Sequence, residues 1–80
     1  MKKIFNYLKK IDSNEVIVCF LKKECIGVSV FNSDGKFLSV PNDIQEAMIA
    51  VGEKLIVDGQ KLGTIRFLPE TSSINTEIEF

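Results

Sequence analysis

The sequence predicts an α+β fold, a single antiparallel sheet of about five strands with two helices against it, in the order α-β-β-β-α-β-β. Three observations lead there. Two segments repeat apolar residues at helical spacing, several short runs rich in β-branched residues are bounded by turn residues, and the final run, INTEIEF, alternates strictly. Strand runs interrupted by helices and joined by short connections belong to α+β architectures. Eighty residues make one domain, 1–80, without repeat, low-complexity run or linker.

Residues 2–11 read as the first helix. Ile4, Phe5, Leu8 and Ile11 fall on one arc with Tyr7 at its edge, and Lys2, Lys3, Lys9 and Lys10 fall opposite. Such a helix either rests on a sheet or lies on an anionic surface, although ten residues reach only about 15 Å. Asp12-Ser13-Asn14 ends it. EVIVCFL, residues 15–21, is apolar without a polar face, so it is expected at the centre of the sheet. Lys22-Lys23-Glu24 is a polar turn into CIGVSVF, residues 25–31. There Ile26, Val28 and Val30 share one face, and Cys25, Gly27, Ser29 and Phe31 the other.

NSDGK is a turn whose glycine supplies positive φ, and FLSV, residues 37–40, is a short third strand ending at Pro41. A second helix is expected over about 43–57. Asn42 or Asp43 is placed to cap it, with Glu46 completing a capping box, and Ile44, Ala47, Met48, Val51 and Leu55 form the stripe. Gly52 inside it costs about 1 kcal/mol in propensity, and Asp58-Gly59 stops it. TIRFL, residues 64–68, is the next strand, closed by Pro69. In residues 74–80, Ile74, Thr76, Ile78 and Phe80 alternate with Asn75, Glu77 and Glu79, which predicts a half-buried strand whose acidic outer face discourages stray pairing.

Composition excludes several functions. The chain is 45% hydrophobic and 26% charged, an ordinary balance for a globular domain. It carries a net charge of −1, unevenly spread: six lysines stand against two acids in residues 1–23, and four bases against nine acids afterwards. With one arginine, Arg66, and no tryptophan, nucleic-acid binding is not expected, and only the N-terminal lysines argue for it. The longest apolar run, Val16–Leu21, is far short of the ~20 residues that span a membrane, and MKKIFNYLKK lacks the core of a secretory signal. Cytoplasmic residence is therefore expected. Cys19 and Cys25 would be diagonal neighbours in a hairpin, ~7–8 Å apart, too far for a disulfide.

No enzyme and no cofactor or metal is expected. Without histidine there is no Ser-His-Asp or Cys-His pair and no commonest zinc ligand. No phosphate-cradling glycine loop occurs, and Asp34 lacks the further oxygen ligands of a calcium loop. Glu77 and Glu79, ~7 Å apart on one strand face, would need a cleft to act as acid and base.

Two stretches resemble known families. CIGVSVFNSDGKFLSV, a helix and then TIRFLP resemble the core of roadblock and related profilin-like domains over residues 25–68. That likeness implies a dimerising scaffold or a small-ligand sensor. VGEKLIVDGQKLGTI, residues 51–65, is similar to the turn of biotinyl and lipoyl carrier domains, and EAM at 46–48 echoes the attachment site. Ile49 takes the place of the attachment lysine, so this likeness implies a barrel of short strands with a hairpin over 43–57, without carrier chemistry.

What remains is a surface for partners. A thin core gains from pairing, and an edge strand offers free backbone groups to a second subunit or another protein. The expected partner surface is Ile74, Thr76, Ile78, Phe80, Glu77 and Glu79, serving a homodimer or a regulator or inhibitor of the small, slightly acidic kind found in phages and mobile elements. The alternatives are a ligand pocket lined by Val28, Phe37 and Met48, and an anionic lipid or nucleic acid on the lysine face.

Overall fold

A computed structural model describes residues 1–57, 59 and 61–79. They form α1 (Lys2–Lys10), β1 (Ser13–Leu21), β2 (Glu24–Asn32), α2 (Asn42–Leu55), β3 (Leu62–Leu68) and β4 (Ser73–Glu79). The four strands make one antiparallel sheet in the order β2-β1-β3-β4. The expected count of about five is thus one too many, and the order is α-β-β-α-β-β. Residues 37–40 are not a strand: only Phe37 bridges back, to Phe31. Beyond Leu38 the chain leaves β2, because Val40 is buried in the core at the entry to α2.

β1 is central, as its unbroken apolar run requires. Val16, Val18 and Phe20 are fully buried on the helix side, while Ile17 and Cys19 lie half-buried on the other side. The β1–β2 hairpin turns through Lys22 and Lys23, whose φ of 50° and 71° give the mirror-image turn that fits strand twist. A bulge follows. Cys19 faces Gly27 but Phe20 faces Cys25, so Cys25 rather than Ile26 joins the helix side, and Ile26 is 60% exposed. The extra residue reverses the expected faces at the start of this strand, and it leaves the two free thiols on opposite sides of the sheet.

α1 lays Ile4, Phe5 and Leu8 into the core, with the Phe5 ring 6.1 Å from that of Phe67. Its apolar arc is thereby buried against the sheet. Lys3 bonds Asp43 of α2 at 3.2 Å, and Lys9 donates to the Ser72 hydroxyl at 2.9 Å. The Lys3 ammonium, by hydrogen bond and by charge, holds the Asp43 carboxyl below its ordinary value.

α2 departs from expectation at both ends. Pro41 is the N-cap and no side chain caps the helix, so the Asp43–Glu46 capping box does not form. Asn42 is already helical, which moves Asp43 into the first turn, where its charge suits the helix dipole and reaches Lys3. The helix stops at Leu55, before Gly59, because the buried Ile56 turns extended to enter the core. Asp58, the other half of the expected stop, lies outside the described residues. The same helix stands where the carrier-domain likeness implied a hairpin.

Gly52 has a packing reason. The Phe20 ring lies against its backbone so closely that a β-carbon there would collide with the ring. The propensity cost inside the helix is exchanged for close approach of α2 to β1.

Candidate functional site

The two margins of the sheet differ. β2 is bulged and partly covered. Asn32 accepts the amides of Asp34 and Lys36 on its side-chain oxygen at 2.9 and 3.0 Å, an Asx turn completed by Gly35 at φ +79°. This turn lays residues 36–38 along the strand: the Asn32 amide donates to the Lys36 carbonyl at 3.0 Å, and the Leu38 amide to that of Val30 at 2.8 Å. The Phe37 ring then rests on Phe31 at 4.7 Å.

β4 has neither device. It pairs with β3 in unbroken register from Ser73 opposite Leu68 to Glu79 opposite Leu62, and no described strand lies on its far side. Ile74, Thr76 and Ile78 point to the helix side, opposite Phe67, Ile65 and Gly63. Asn75, Glu77 and Glu79 point to the bare side. The expected alternation of faces is therefore present over the described strand.

The expected half-burial is not. Only Ile74 packs against the core, and Ile78 is 39% exposed. The cause is the helix layer, whose main sheet contacts are with β1 and β2. Two short helices cover the fourth strand only around Ile74. The uncovered strip is a groove of about 620 Å³ between α2, the start of α1 and β4, lined by Met1, Val51, Lys54, Leu55, Ile74 and Thr76. Leu55, which helical spacing assigned to the core, stands 40% exposed at its wall. Met1, Val51 and Lys54 were not legible as a site. The only signal was an α2 stripe running one turn further than the sheet beneath it.

On the bare side, Arg66 of β3 bonds Glu15 of β1 at 2.9 Å and approaches Glu77 of β4 with its Nε at 3.7 Å. Charges thus cross three strands, through a part-buried Arg66–Glu15 pair and a looser contact to the exposed Glu77. Glu77 and Glu79 are exposed on an open sheet face, not opposed across a cleft. Among the described residues no three His, Cys, Asp or Glu side chains converge on one point, and no helix is long and apolar enough to cross a membrane.

Of the other expected site residues, Phe80 lies outside the described residues. Val28, Phe37 and Met48 are not brought together. Met48 is sealed in the core, Val28 is half-buried at its margin, and Phe37 is 74% exposed against Phe31, beyond the β2 edge. The pocket expected from them requires Phe37 to turn inward on a third strand that does not form.

Comparison of the chain with protein-family models, with curated proteins and with solved structures returned no match.

Proposed function

We propose that this chain is a protein-binding module that takes up an extended segment of a partner along β4. The observation that carries this reading is the combination, on one seven-residue strand in unbroken register, of an edge that no described strand covers and an apolar groove. Strand addition draws its affinity from backbone hydrogen bonds and its selectivity from side chains that enter pockets at every second position. Here the groove beside Ile74 and Thr76 receives alternate apolar side chains. The Asn75, Glu77 and Glu79 face favours polar or basic residues at the positions between. A regulator or inhibitor that works by covering another protein's strand fits this mode, and no catalytic step is part of it.

The test is a selection of random peptides on the folded protein. Enriched peptides should alternate apolar with polar or basic residues, and should lose binding to a Thr76→Pro or an Ile74→Lys variant that keeps the wild-type circular dichroism spectrum. Peptides that bind both variants as well as they bind the wild type would refute the β4 reading.

A further inference from the structure

Taking β4 as the binding edge, we infer that its partner is a second copy of the chain, paired antiparallel about a two-fold axis through Thr76 to give a continuous eight-stranded sheet. Strand length selects this arrangement, and charge is compatible with it and excludes the registers centred beyond it.

Length comes first. A two-fold axis perpendicular to the sheet pairs β4 with itself antiparallel, keeps both helix layers on one side and places like faces together. Directly opposite residues then share a face, so the axis must pass through or beside a single residue of the strand. β4 runs from Ser73 to Glu79, and its midpoint is Thr76. Only that centre lets the whole strand find a partner. Centring on Asn75 or Glu77 leaves two residues at one end outside the other copy's strand.

Charge agrees with that centre and removes the registers on its C-terminal side. With the axis at Thr76, Glu77 faces Asn75 of the other copy and Glu79 faces Ser73, so no two carboxylates stand opposite. With the axis at Glu77, that glutamate faces its own copy. With the axis at Ile78, Glu77 and Glu79 face each other twice. Like charges directly opposite disfavour a pairing. On the helix side, the Thr76 centre sets Ile74 against Ile78 in both directions and Thr76 against Thr76, which are matched apolar and hydroxyl pairs. The acids thus close the registers centred beyond Thr76, and strand length disfavours those centred before it.

The groove completes the surface. A stable interface buries about 800 Å² per partner, more than a seven-residue strand edge supplies alone. Leu55, Val51 and Met1 stand over Ile74 and Thr76 beside that edge, so the two grooves meet across the seam and cover apolar area that the isolated chain leaves partly exposed. The arrangement is isologous, each copy giving and receiving the same contacts.

The experiment has two arms. Sedimentation equilibrium of the full chain should show a monomer–dimer equilibrium. In a Cys19→Ser, Cys25→Ser background, single cysteines at Asn75, Thr76 and Glu77 should differ in oxidative cross-linking, with Thr76→Cys forming dimers severalfold faster than the other two. These positions are exposed, and circular dichroism confirms that each variant folds. Fastest cross-linking at 75 or 77 overturns the register. A monomer up to millimolar concentration overturns the second copy as partner, while the peptide selection on β4 still decides whether that edge binds foreign strands.

Discussion

The β2 and β4 margins face the same physical problem, a row of unpaired backbone groups, and are finished in opposite ways. At β2 the Ile26 bulge bends the strand, the Asn32 turn brings residues 36–38 alongside, and α2 contacts the strand from the helix side. At β4 the register is regular, no described strand pairs with the outer edge, and an apolar groove lies above it. Proteins that avoid edge pairing use bulges, covering loops and inward charges. One half of this sheet uses two of these. The other half uses only two outward glutamates, which bar self-pairing centred beyond Thr76 and leave the Thr76 register open. Closure is a local property of each strand, and a small sheet can keep one side sealed for stability and the other available for binding.

The largest expected difference is in side-chain truncation. Phe20→Ala should lower unfolding free energy by about 3–5 kcal/mol, since a fully buried ring leaves a cavity. Ile78→Ala on the open margin should cost less than about 1 kcal/mol in dilute protein, because much of that side chain is already in water. Urea denaturation followed by circular dichroism measures both. Equal losses would mean that β4 is covered in solution.

Gly52→Ala sharpens the comparison further. Helix propensity alone would make it stabilising by about 1 kcal/mol. Contact with the fully buried Phe20 ring should reverse the sign, to a net loss of about 1–3 kcal/mol in the same assay. A gain in stability would show that α2 is not seated tightly over the closed half.

Asn32→Ala removes two hydrogen bonds of the turn and should cost about 1 kcal/mol. It also frees the β2 edge, so light scattering should detect concentration-dependent species larger than the wild type's. Unchanged association would mean that the 36–38 segment does not guard that edge.

The smallest effect belongs to the exposed Lys3–Asp43 link. Its folded carboxyl titrates below the ordinary 3.8 because Lys3 bonds the ionised form. The contribution is therefore present above the unfolded value and fades as pH falls through the folded one. Melting temperatures of wild type and Lys3→Ala should differ slightly at neutral pH and converge in acid. A gap that persists below the folded value would assign it to packing of the lysine stem.

Much of this was legible in the residues. Apolar spacing located both helices, β-branched runs located all four strands, and alternation in INTEIEF gave the two faces of β4 over its described residues. Each of these depends on periodicity, which is a local consequence of helical rotation and strand pleat. Other features were decided only when distant parts met. Val40 and Ile56 were drawn into a shared core, which abolished the strand at 37–40 and ended α2 early. The bulge at Ile26 exchanged the faces of the start of β2, because pairing with β1 determines which residue is skipped. The groove arose because two helices cover less width than four strands, a mismatch between layers that no single segment encodes. The sequence by itself determined which residues want to be covered; the tertiary structure decided which of them the helices could reach.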